Sequence, residues 1–136
     1  MPPIIREKPR NPTVLSTESQ ELYDELAAAY NARFQPANQV EADLVDRLIL
    51  CQWRICRAIT LETAAIDHTM RVNDHRFEGD FGRIDPVSRT VLAIHTLNYV
   101  PTSLAALHRE EGSYARQYPT VLKNLLMVQA DRTARA

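Results

Sequence analysis

Apolar side chains recur every three or four residues along most of this chain, which is the spacing of side chains that share one face of an α-helix. The first such stripe consists of Leu22, Leu26, Ala29, Tyr30 and Phe34. Thr17 and Gln20 have the spacing of a capping box, so we predict a helix that begins at Ser16–Thr17. Pro36 then ends this helix.

The second helical pattern runs from about Gln39 to about Arg71 without a Gly or a Pro. Asn38 and Glu41 have capping-box spacing at its start. Apolar residues lie on several sides of this helix, which is typical of a central helix covered by several neighbours. Residues 73–85 contain two of the three glycines, so we predict a loop there.

Two further helices are predicted after this loop. Asp85-Pro86 is a typical helix start, with Asp as the N-cap and Pro at the first helical position. The predicted buried face of this helix consists of Val87, Val91, Ile94 and Leu97 or Asn98. Pro101 breaks the helix. A last helix is predicted from Thr102 or Ser103, with a kink at Pro119.

Together these elements predict an all-α protein built on an antiparallel hairpin of the two long helices, the second and the last. Glu62 is placed opposite Glu111 in this hairpin. The N-terminal helix returns along the first half of the second helix, and the short helix precedes the last one. We therefore expect a three- to four-helix bundle, with a single domain over residues 17–130 and flexible tails at residues 1–16 and 131–136.

Composition narrows the class of protein. The chain has 136 residues, of which 45% are hydrophobic, and a net charge of −1, so it is long enough for a core and is not basic throughout. No run approaches the roughly 18 apolar residues that cross a bilayer, and the first residues lack the features of a signal peptide. We expect a cytoplasmic protein that makes no membrane contact.

The cysteine content points to a reducing compartment. Cys51 and Cys56 are five residues apart, so on a helix they point about 140° away from each other. Two cysteines are too few for a disulfide framework or a tetrahedral zinc site. We expect two small buried hydrophobic side chains in a reducing compartment, and no cofactor.

The most suggestive polar residues belong to the two long helices. Glu62 and Glu111 occupy apolar-stripe positions, and arginines lie about one turn away. The predicted polar core network consists of Arg54, Arg57, Glu62, Arg109, Glu111 and Arg116. We interpret it as a buried ionic layer that sets the helix register. A carboxylate metal or acid–base site that also uses His68 and His108 is the alternative, but the Glu-x-x-His spacing of such sites is missing.

Leftover apolar surface on the central helix suggests an interaction role. Leu50, Trp53 and Leu61 are the residues we expect to form an interaction surface, together with the acidic first helix. No Ser, Cys or Thr stands in a recognisable nucleophile motif with a histidine. We therefore expect a non-enzymatic helical module that binds an unidentified protein or a second copy of itself.

Two other functions stay open. The chain has 14 Arg against 2 Lys, a basic N-terminal segment and the Arg54/Arg57 pair, which suit a nucleic-acid-associated accessory protein, possibly of a mobile element. The net charge of −1 argues against this partner. An enzyme with a carboxylate site between Glu62 and Glu111 is the weaker alternative.

Four short motifs resemble those of a group of uncharacterised bacterial proteins. The group's pattern reads F-Q-P-x-x-x-x-E, L-V, W-R-x-x-R and L-E, and it stands here at Phe34–Glu41, Leu44–Val45, Trp53–Arg57 and Leu61–Glu62. The group's last helix, with an R-Y-E motif and a closing Gln, is similar to residues 107–129. This chain departs from it at Glu110, Pro119 and Thr120. The resemblance implies a helical fold and carries no established activity.

Overall fold

The structure is a computed structural model that describes residues 12–98 and 104–136. The described residues form four helices and no strand, so the all-α prediction is confirmed. The helices are α1 (Gln20–Phe34), α2 (Gln39–Phe81), α3 (Pro86–Asn98) and α4 (Leu104–Arg135). The predicted break at Pro101 and most of the predicted N-terminal tail lie outside the described residues.

Helix α1 begins later than the capping-box pattern predicts. Its N-cap is Ser19, whose Oγ accepts a hydrogen bond of 3.1 Å from the Leu22 amide. The side chain of Glu18 accepts a 2.8 Å hydrogen bond from the Leu15 amide, so residues 15–18 form a turn before the helix. The predicted start at Ser16–Thr17 is therefore wrong, because Ser19 accepts a hydrogen bond from a free amide of the first turn.

Helix α2 continues through most of the segment that was predicted to be a loop. It passes through Gly79 and ends only at Phe81, where Gly82 adopts a φ of 72° and donates to the Glu78 carbonyl at 2.8 Å. The prediction is wrong for residues 73–81. A helical glycine costs only about 1 kcal/mol, and the burial of Phe77 offsets that cost.

Helix α3 begins where it was predicted to begin, but it buries the face opposite to the predicted one. The Asp85 carboxylate accepts hydrogen bonds from the Ser88 amide at 2.8 Å and the Ser88 hydroxyl at 2.7 Å, which confirms the N-cap. The residues that α3 buries are Ala93 and Leu97. Of the predicted buried face only Leu97 is buried, and the other residues point outward.

Helix α4 is longer than predicted. It passes through Pro119 and continues to Arg135, so residues 131–135 are helical rather than a flexible tail. Arg132, within this last turn and a half, contacts the buried Glu41 of α2. That tertiary contact holds a segment in which the apolar periodicity has already ended.

The described residues group into two compact units, and each is considered separately. One contains residues up to Leu50 together with Val121–Ala136, and its buried apolar residues are Val14, Val45, Leu48, Ile49 and Leu125. The other is Cys51–Thr120, whose buried apolar residues are Cys51, Ala58, Phe77, Ala93, Leu97 and Leu104. The single domain predicted over residues 17–130 stays a prediction, since α2 and α4 each contribute to both units.

Within the second unit α2 and α4 run in opposite directions, as predicted, since Arg54 contacts Tyr114 while Glu62, later in α2, contacts His108, earlier in α4. In the first unit Glu41 contacts Arg132, and in the second Glu62 contacts His108. His108 lies three residues before Glu111, the predicted partner of Glu62. The antiparallel hairpin is therefore confirmed. The contact of Glu41 with Arg132 fits the predicted register, whereas in the second unit Glu62 contacts a residue about one helical turn from its predicted partner.

Candidate interaction surface

The outer face of α3 carries a row of exposed apolar side chains. Val87, Val91 and Ile94 are spaced by four and three residues, so they lie on one side of the helix. Their exposed fractions are 74%, 59% and 37%. We call these three residues the α3 stripe. Phe81, the last residue of α2, is also exposed, at 63%.

One arginine holds α3 in this orientation. Arg89 forms an ion pair with Asp74 and places its Nη2 atom 3.5 Å from Glu78 Oε1, one turn further along α2. Arg89 is two residues before Val91, and two residues turn a helix by about 200°. When Arg89 faces α2, Val91 must face away from it.

The remaining contacts of α3 agree with this orientation. Thr90 Oγ1 lies 3.6 Å from Met70 Sδ, and Arg76 donates a 3.3 Å hydrogen bond to Thr96 Oγ1. Ala93 is fully buried, because a methyl group on the inner face lets the two backbones approach closely. The inner face therefore consists of Ala93, Leu97 and polar side chains, while the α3 stripe remains outside.

The predicted interaction residues do not form one surface. Leu50 belongs to the first unit, where it is half-buried and lines a polar groove of about 440 Å³. The other residues of this groove are Thr13, Tyr23, Asp43, Asp46 and Arg47. Trp53 and Leu61 belong to the second unit, where Trp53 is half-buried and Leu61 is exposed.

The predicted polar core network has other partners than expected. Glu62 Oε1 lies 3.0 Å from His108 Nε2, and Glu62 and Glu111 are both only half-buried. Arg109 and Arg116 are exposed, and Arg57 is half-buried. The buried pair of facing glutamates within a group of arginines is therefore wrong, because the register brings a histidine opposite Glu62.

Arg54 is bound to an aromatic residue. Its guanidinium carbon lies 5.3 Å from the centre of the Tyr114 ring, and its Nη1 donates a hydrogen bond to the Tyr114 hydroxyl. This contact is a cation–π interaction supported by a hydrogen bond. Arg54 thus links α2 to α4 through tyrosine instead of a carboxylate.

The Glu62–His108 pair is a titratable contact between α2 and α4 in the second unit. The hydrogen bond and the negative charge of Glu62 raise the pKa of His108, and the charge of Glu111 adds a smaller effect in the same direction. Partial burial of the imidazole opposes them. The pair is therefore a helix-to-helix contact that strengthens when His108 is protonated.

The first unit contains a buried carboxylate that the sequence interpretation missed. Glu41 is fully buried, and its Oε1 accepts a 2.6 Å hydrogen bond from Arg132 Nε. Its Oε2 accepts hydrogen bonds from the Ala37 amide at 2.9 Å and from Gln129 Nε2 at 3.4 Å. Gln129 also donates to the Phe34 carbonyl at 2.7 Å.

These hydrogen bonds stabilise the ionised form of Glu41. The Ala37 amide lowers the pKa of this carboxyl most, Arg132 and Gln129 lower it further, and burial acts in the opposite direction. We call Glu41, Gln129 and Arg132 the carboxylate joint. It fastens the turn between α1 and α2 to the last turns of α4.

Part of the carboxylate joint was visible in the sequence. Asn38 is confirmed as the N-cap, since the Glu41 amide donates to Asn38 Oδ1 at 3.0 Å, while the Glu41 carboxylate accepts from the Ala37 amide at 2.9 Å. The backbone carbonyl of Phe34 and the carboxylate of Glu41 both accept hydrogen bonds from one glutamine of α4. The spacing of Gln129 and Arg132 was the missed signal, since residues three apart on a helix point the same way.

Other kinds of site find no support in the described part of the chain. No group of three or more His, Cys, Asp or Glu side chains there could hold a metal ion. Neither Cys51 nor Cys56 forms a disulfide; Cys51 is buried as predicted, whereas the predicted burial of Cys56 is wrong, because its side chain is exposed. Among residues 12–98 and 104–136, no helix combines the length and apolar character that a membrane span needs.

Comparison of the chain with protein-family models, with curated proteins and with solved structures finds no match. The resemblance to the group with the F-Q-P-x-x-x-x-E motif therefore stays a prediction.

Proposed function

We propose that this chain is a non-enzymatic assembly module that binds an apolar helix of another protein through the α3 stripe. The exposure of Val87, Val91 and Ile94 on a helix whose opposite face is already packed supports it most directly. A helix that is apolar on two sides is typical of one that has neighbours on both.

The chemistry of the stripe favours a helical partner. Its spacing of four and three residues matches the anchor positions that one helix presents to another. Position 98, the next on the same side, is the uncharged Asn98. Complete transfer of a valine or isoleucine side chain from water to an apolar contact contributes about 1.5–3 kcal/mol, so burial of these three residues would offset part of the roughly 4–15 kcal/mol that association costs.

This role agrees with a location in the cytoplasm. Neither cysteine forms a disulfide in the structure, and Cys56 is exposed. A reducing compartment keeps such thiols unpaired.

A site-specific cross-linker tests the proposal. A photoreactive amino acid replaces Val91 in the full chain, expressed in the cells that make it naturally, and a second variant carries it at Val72. Val72 is the matched control, since it is a valine of the same unit with a similar exposed fraction of 66%. We expect a discrete protein adduct from position 91, identified by mass spectrometry, and none from position 72.

Two results would contradict the proposal. Position 91 could give no adduct above the level of position 72, or both positions could give the same broad set of adducts. Either result would mean that the α3 stripe is ordinary exposed surface rather than a docking face.

A further inference from the structure

We draw no further inference here: the strongest candidate, the exposed apolar face of α3 formed by Val87, Val91 and Ile94, carries nothing beyond the proposed function, because nothing in the described part of the chain shows what covers it.

Discussion

At the scale of single residues, burial and hydrogen bonding decide what each charged side chain does. Glu41 is ionised while fully buried, because amide, guanidinium and carboxamide donors surround it. The side chain of Glu62 is more exposed, and its Oε1 lies 3.0 Å from His108 Nε2. The sequence interpretation gave Glu62 the buried role, and the structure gives that role to Glu41.

The pKa of His108 offers a direct test at this scale. Because Glu62 raises it, the Glu62–His108 contact should stabilise the fold at low pH and weaken as the pH increases through the pKa of the folded protein. NMR titration of the imidazole should therefore give a pKa above that of an unstructured histidine. Glu62→Gln should lower this pKa.

Glu111→Gln is the matched control for this titration, because Glu111 is the smaller of the two electrostatic contributions. It should lower the pKa of His108 less than Glu62→Gln does. Equal shifts from the two variants would mean that the hydrogen bond between Glu62 and His108 does not form in solution.

At the scale of elements, tertiary contacts override local sequence signals at the helix ends. Glycine content predicted a loop where α2 continues to Phe81, and large apolar residues predicted the wrong inner face for α3. In both cases Arg89 takes part, since it binds two carboxylates in the last turns of α2. Contacts between residues so far apart in sequence are invisible to a local pattern.

The two glycines of this region should respond to alanine in opposite ways. Gly82 has a φ of 72°, so Gly82→Ala should lower the free energy of unfolding by about 1 kcal/mol through backbone strain. Gly79 lies within the helix, so Gly79→Ala should raise it by about 0.5–1 kcal/mol. At both positions an added Cβ meets nothing within 4 Å, so a steric clash contributes to neither change in the free energy of unfolding.

Chemical denaturation measures both effects in the full chain. Stabilisation by Gly82→Ala, or destabilisation by Gly79→Ala, would place the end of α2 before Gly79, where the sequence pattern alone put it.

At the scale of the whole molecule, the fold was more predictable than the site. Apolar side chains with helical spacing predicted the four helices and the antiparallel pair of α2 and α4, because periodicity is repeated over many residues. The functional residues depend on one-turn differences in register and on the rotation of α3. A one-turn difference leaves the apolar pattern almost unchanged, so the sequence could not show that Glu62 meets His108.

The carboxylate joint predicts how the first unit responds to acid. The pKa of Glu41 is lowered by its hydrogen-bond donors, so its contribution to stability is present above the ordinary pKa of a glutamate and is lost as the pH falls below it. Glu41→Gln should lower the melting temperature at neutral pH. It should also flatten the decrease of melting temperature between neutral and acidic pH.

Asp43→Asn is the matched control for the joint, since Asp43 is an exposed carboxylate two residues away whose hydrogen bond is to Gln39 of the same helix. This variant should change the melting temperature far less than Glu41→Gln at neutral pH. Similar losses from the two variants would show that Arg132 and Gln129 do not hold Glu41 in solution.

The ion pairs of Arg89 have a consequence for how selective the module can be. Helix α3 has apolar side chains on opposite sides, so the hydrophobic effect alone gives little preference for which side packs against α2. The ion pairs of the Arg89 guanidinium supply that preference. Lysine at this position has a single ammonium in place of the fork that reaches both acids. With lysine, α3 would rotate about its axis between two orientations. A binding partner would then meet two different surfaces instead of one.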